Sequence, residues 1–147
     1  MEIGEKDQVL DVGCGYGPIG ITAAYLAPEG QILMVDVNER AVTLANENVR
    51  TNRIENARAI VSNLFEQVDS ELQFDVILTN PPIRAGKETV HQIFEEAHSF
   101  LKPNGHLWVV IQKKQGAPSA VKKMEVLYSE VTKVAQSKGY WIIKARR

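Results

Sequence analysis

Short apolar runs alternate with amphipathic stretches along almost the whole chain. Gln8-Val9-Leu10-Asp11-Val12 has the length and apolar density of a buried strand and runs into a glycine turn. Pro18 to Ala27 predicts the helix after it, closed by Pro28-Glu29-Gly30. Gln31 to Asp36 predicts a second strand. Asn38 is placed to cap a helix from Glu39 to about Asn52, with Ala41, Leu44, Ala45 and Val49 at apolar positions. Arg58 to Val61 predicts a short third strand, and Phe74 to Thr79 a fourth that stops at Asn80-Pro81-Pro82. A helix is expected from about Glu88 to Leu101, ended by Lys102-Pro103-Asn104-Gly105, and then a strongly apolar central strand from His106 to Gln112. Pro118 suits the first turn of a helix running to about Tyr128. Val131 to Ala135 and Tyr140 to Ala145, separated by Gln136-Ser137-Lys138-Gly139, predict a β-hairpin.

Repeated strand–helix–strand units imply an α/β fold: a Rossmann-like, doubly wound, mainly parallel seven-stranded sheet with a C-terminal antiparallel hairpin strand. Residues 1–147 read as one domain, without repeat, linker or low-complexity segment. The first strand starts so close to Met1 that the domain is expected to lack the lead-in segment that often covers the ligand in such folds.

Composition adds little, at 44% hydrophobic and 24% charged residues, but charge distribution adds more. Residues 1–102 carry 8 Lys and Arg against 16 Asp and Glu, whereas residues 103–147 carry 9 against 2. A basic last third can attract a polyanion such as RNA, or can simply be solvated lysines on exposed faces. The single cysteine, Cys14, rules out an internal disulfide and suits a reducing compartment. No stretch has the apolar length of a membrane span, and the polar, acidic start is unlike a secretory signal, so a cytoplasmic location is expected.

The junction of the first strand and helix reads Asp11-Val12-Gly13-Cys14-Gly15-Tyr16-Gly17. Glycines there allow tight positive-φ turns and let backbone amides approach a ligand, at the sheet edge where open α/β folds bind one. Gly15 to Gly20 matches a dinucleotide-binding pattern, but Pro18 removes an amide that would serve a pyrophosphate. Asp11 would put a carboxylate near the same place, which suits a cation better. S-adenosylmethionine, with its sulfonium and ammonium groups, fits that setting. Asp36, with Val37 beside it, ends the second strand 19 residues after Gly17, where a carboxylate can accept hydrogen bonds from both ribose hydroxyls of an adenosyl group. Ser62-Asn63, after the third strand, is expected beside the adenine.

Asn80-Pro81-Pro82-Ile83 carries the chemistry. Two prolines stiffen the strand end and remove two donors, leaving carbonyls toward the cleft. Asn80 Oδ1 and the Pro81 carbonyl together make a paired acceptor for an NH2 group. An exocyclic or amide nitrogen is a poor nucleophile, and two such hydrogen bonds would aim its lone pair at a methyl group.

These segments resemble the motifs of class I methyltransferases. Residues 80–87 (NPPIRAGK) and 107–118 (LWVVIQKKQGAP) are similar to the small-domain methyltransferases related to the RsmC-type 16S rRNA guanine-N2 enzymes. The resemblance covers nearly the whole chain. It implies methyl transfer to guanine N2, with the Asn and Pro of the motif positioning the amine. Adenine- and glutamine-modifying enzymes of the wider group usually carry an aromatic residue where Ile83 stands. The second, degenerate domain of the larger members is not expected within these residues.

Arg84 and Lys87 follow the motif, and Lys113 and Lys114 follow the fifth strand, so all four are expected to contact RNA phosphates. His91 and His98 sit seven apart on one helix face with Glu95 between them, but the two histidines lack the i, i+4 spacing of a metal-binding pair, and no metal is expected. Trp108 and Trp141 read as core, and Cys14 lacks a basic partner that would make it a catalytic thiol. Alternatives to an RNA guanine-N2 methyltransferase are methylation of a protein glutamine or adenine N6, a cofactor-binding module without activity, and a nicotinamide oxidoreductase. The last leaves Asn80-Pro81-Pro82-Ile83 without a role. Oligomeric state is not legible.

Overall fold

The computed structural model describes residues 2–81, 84 and 86–147. The elements are β1 (Gln8–Val12), α1 (Pro18–Leu26), β2 (Gln31–Asp36), α2 (Glu39–Thr51), β3 (Ala57–Val61), β4 (Phe74–Thr79), α3 (Lys87–Phe100), β5 (Leu101–Gln112), α4 (Ala117–Leu127), β6 (Glu130–Ser137) and β7 (Tyr140–Arg146). They form one seven-stranded sheet in the order β3-β2-β1-β4-β5-β7-β6. β7 runs antiparallel to both its neighbours, and the other pairings are parallel. The expected α/β doubly wound sheet is what the chain forms.

Alternation along the strands divides two cores. Leu33, Leu10, Ile77 and Leu107 lie in register and pack with Ile93 and Phe94 of α3 and Ala120 and Met124 of α4. The opposite face presents Val9, Ile32, Met34, Leu78 and Trp108 to Ala23 and Ala24 of α1 and Val42, Ala45 and Val49 of α2. Asp11 belongs to this second face. Its register neighbours are Met34 and Leu78, so a carboxylate stands in an otherwise apolar row.

Strand order turns back between β1 and β4, so the loops leaving their carboxyl ends diverge and open a crevice. Thr79 closes the floor of that crevice: its Oγ1 donates to the Val12 carbonyl at 3.1 Å. Helix α1 approaches the sheet closely because Gly20 has no side chain. A Cβ there would lie 2.2 Å from Met34 Sδ.

The structure differs from expectation around residues 101–105. Instead of ending a helix in a loop, Leu101 already pairs with Phe74, and β5 runs on through an irregular register to Gln112. Asn104 takes a positive φ of 66°, and Gly105 sits where a Cβ would meet three carbonyl oxygens within 3.1 Å. Pro103-Asn104-Gly105 is thus a kink inside a strand, not a break before one. The hairpin is also longer than expected. Its loop is only Lys138-Gly139, with φ values of 51° and 81°, the double positive-φ geometry that matches strand twist.

Candidate active site

The glycine loop is fastened by backbone before any ligand arrives. The amides of Gly13 and Cys14 both donate to the Val35 carbonyl at 2.9 Å, and the Gly17 amide donates to the Cys14 carbonyl. Gly13 and Gly15 take φ values of 79° and 57°, where a β-carbon would be strained. Asp36 joins the loop to β2: Oδ2 accepts from the Gly15 amide and Oδ1 from the Asn38 amide, each at 2.9 Å. Asn48 of α2 adds a hydrogen bond from its side chain to the Tyr16 carbonyl.

Beneath the loop, Asp11 is 3% exposed and its Oδ2 has no hydrogen-bond partner. Burial, with the Asp36 carboxylate as a second cause, pushes its pKa up to about 7, against a lowering by the Gly20 amide. A buried acceptor without a partner is costly, and a cationic ligand on the loop would offset that cost. Cys14 is buried, and desolvation followed by Asp11 and Asp36 pushes its thiol up to about 12. It is a thiol at neutral pH and no nucleophile.

A cleft of about 340 Å3 collects the rest. Val12, Gly13, Asp36, Val37, Asn63 and Asn80 line it, with Ser62 in the wall. Asn80 is exposed into this space, and its carbonyl lies 4.0 Å from where a Cβ on Gly13 would sit. Strand end and glycine loop therefore face each other. Pro81 is buried behind Asn80; Pro82 and Ile83 lie outside the described residues. The Ser62 hydroxyl is engaged in its own turn, donating to the Leu64 carbonyl and accepting from the Gln67 amide. Ser62 shapes the wall more than it offers a free group, whereas Asn63 is exposed on it. Gly17 does not reach the cleft: it is buried, and a Cβ on it would meet Ala45 and Met34.

Four lining residues, Val12, Val35, Leu64 and Thr89, were not expected as site residues, and two of them come from outside the strand ends and the glycine loop. Leu64 takes a positive φ of 55° and adds apolar wall, and Thr89 comes from the first turn of α3. Neither has a signal in the sequence, because only the third dimension brings them to Asp36. The set fits an adenosyl sulfonium ligand: a carboxylate with lone pairs free for a diol, an apolar trough from Val12, Val35, Val37 and Leu64, and an unpartnered buried carboxylate under the loop.

Arg84 and Lys87 are exposed after β4, and Lys113 and Lys114 are exposed in a one-turn 3-10 helix after β5. Much of the basic last third is engaged internally. Lys123 pairs with Glu95, Lys144 with Glu2 and Arg146 with Glu130, while Arg147 donates to the Leu101 carbonyl. Trp108 is buried under the Lys144 ammonium, and Lys133 caps the half-buried Trp141 ring. His91 and His98 pack on Phe94 and Tyr128, and no group of three potential metal ligands converges among the described residues. Among those residues, too, no helix is long and apolar enough to cross a membrane.

The model of the methyltransferase small domain matches residues 1–144. The chain belongs to that family. S-adenosylmethionine is the methyl donor that the lining of the cleft suits. An uncharacterized protein of Bacillus subtilis, YbxB, is 58% identical over 95% of this chain and 69% of its own length. A release factor glutamine methyltransferase of Fusobacterium nucleatum is 35% identical over 68% of this chain and 28% of its own length. The ribosomal RNA large subunit methyltransferase G of Shewanella amazonensis is 30% identical over 97% of this chain and 38% of its own length. Among solved structures, the 16S rRNA N2 G1207 methyltransferase of T. thermophilus in complex with AdoMet and guanosine superposes with a TM-score of 0.87. It is 22% identical, over 98% of this chain and 38% of its own. The chain thus spans 28 to 38% of the lengths of those two named enzymes and of the solved structure. The expected methyltransferase fold and family hold.

Proposed function

We propose that this domain methylates the exocyclic N2 of guanine in ribosomal RNA, in the cytoplasm. The observation that carries the reading is the meeting of Asn80 with Gly13, Asp36 and Asn63 on one cleft. An amine-holding group and an adenosyl-holding group share one wall-to-wall space. The RNA half is supported by the exposed Arg84, Lys87, Lys113 and Lys114 on the same sheet edge and by kinship with rRNA methyltransferases.

When bound, S-adenosylmethionine supplies an electrophilic methyl group on a positively charged sulfur. Asp36 has carboxylate lone pairs left beyond the Gly15 and Asn38 amides and would accept from the ribose hydroxyls. Asn63 would meet the adenine edge, and Asp11, ionised by the arrival of the cation, would set negative charge beneath the loop. Asn80 Oδ1 and the Pro81 carbonyl accept the two amine protons and direct the nitrogen lone pair. With sulfur as the leaving atom of the methyl donor, Asn80 and Pro81 would hold the amine in line until the nitrogen gives up one proton to solvent. Orientation and electrostatics supply the rate, with no strong base needed.

The same paired acceptor serves a glutamine amide, and the relative named for that activity favours this as the second reading. Transfer of a tritiated methyl group to undermethylated ribosomal RNA and, separately, to release factor, followed by nucleoside and peptide analysis, separates them. N2-methylguanosine is the expected product. Label in N6-methyladenosine or in protein reassigns the substrate, and cofactor binding without transfer to any of them makes this a non-catalytic module.

A further inference from the structure

A second cavity opens on the other flank of the first turn of α3. Thr89 faces the cleft that holds Asn80, whereas Lys87 and His91 face a recess of about 260 Å3. Ile111 of β5 and Ala120 of α4 give the recess apolar lining, and Gln115 and Ser119 add polar groups from the start of α4. One helix, ~10 Å across with its side chains, separates the two spaces. The recess is smaller than the roughly 300 Å3 at which sites for drug-sized ligands begin, so it suits a single ring system.

Its chemistry is specific in kind. The lining is apolar, the polar groups are an amide, a hydroxyl and an imidazole, and the ammonium of Lys87 stands with them. His91 is held toward its neutral form by burial and by Lys87 and Lys123, so it offers a flat face with one donor and one acceptor. Lys113 and Lys114 are exposed just before Gln115. A heteroaromatic ring with hydrogen-bonding edges, attached to an anionic backbone, complements all of these features. A stacked strand advances only ~3.4 Å per nucleotide, so a base reaching across the helix must leave the stack, as bases in single-stranded loops do.

The geometry points to this recess as the seat of a second, unmethylated nucleobase adjoining the target, through which the protein reads RNA context. The inference rests on the RNA reading above, and its test separates the two. The protein, saturated with S-adenosylhomocysteine and labelled at Ile and Ala methyls and at backbone amides, is titrated with a single-stranded RNA hexamer of mixed sequence. A ribose-phosphate hexamer without bases and a glutamine-containing peptide serve as comparisons. The hexamer is expected to shift the Ile111 and Ala120 methyls, and the abasic chain only the amides of Lys113 and Lys114. Ser119→Trp, which fills the recess, is expected to weaken hexamer binding by about tenfold, the worth of roughly 1.4 kcal/mol of base stacking, with cofactor affinity unchanged. Lysine amides that move while the Ile111 and Ala120 methyls stay still would overturn the recess and leave the RNA reading standing. Silence everywhere with RNA overturns both. Methyl shifts with the peptide instead of the RNA hand the recess to a protein substrate.

Discussion

The carboxyl edge of the sheet is two different surfaces. Over β1 and β2 it is acidic and tied down: Asp11 and Asp36 sit under or beside a loop whose amides are already bonded to Val35 and Asp36. Over β4 and β5 it is basic and open, with Arg84, Lys87, Lys113 and Lys114 exposed around Asn80 and the α3–α4 recess. The first surface suits a small cation of fixed shape, the second a large anion whose shape varies. Placing them side by side on one switch-point crevice would let a cationic donor and an anionic acceptor approach from different flanks and meet at Asn80.

The division breaks most visibly at Asp11. Its pKa is raised by burial to about 7, so the empty protein holds a proton there that the unfolded chain has released above pH ~4. The associated stability is complete below the unfolded value and is lost as pH rises from there through about 7, by about 4 kcal/mol. Asp11→Asn should flatten that loss. Its thermal midpoint should exceed wild type at pH 8 without ligand and converge with it near pH 4; parallel curves would mean that Asp11 does not carry the linkage. Next in size, Asn80→Ala should keep cofactor affinity while transfer to the methyl acceptor falls at least ~100-fold, as for one lost oriented contact. A matching loss of affinity, read by calorimetry, would merge the two surfaces into one. The smallest effect belongs to Lys113→Glu with Lys114→Glu. If the pair contacts phosphates, the log–log salt slope of RNA binding should fall by about 1.4, at ~0.7 per contact for single strands. An unchanged slope would move the RNA elsewhere.

Strand and helix positions were legible because each face repeats its apolar pattern over at least one full element. Residues 101–105 misled because Pro103 and Gly105 are the usual marks of a loop. Here they make a kink whose strand pairing depends on Phe74 and Asp75, about thirty positions earlier. In the site, Gly13, Asp36, Asn63 and Asn80 were legible as strand-end residues, since a parallel sheet brings such ends together. Gly17 and Cys14 share their motif but turn inward, a distinction that spacing alone does not carry. The charge asymmetry overstated the basic surface, because several of its cations pair with Glu2, Glu95 and Glu130 across the fold.

The Gly15–Asp36 hydrogen bond has a kinetic corollary. A loop already ordered by Asp36, Val35 and Asn48 imposes little further ordering cost on an incoming ligand, so under the proposed reading affinity for the adenosyl portion would be built in before catalysis. The spent cofactor keeps that portion intact and would leave the same grip slowly. What distinguishes the two is charge at sulfur, which the unpartnered Asp11 carboxylate beneath the loop would sense if the sulfur sits above it. Turnover would then be governed by how readily a neutral thioether is let go.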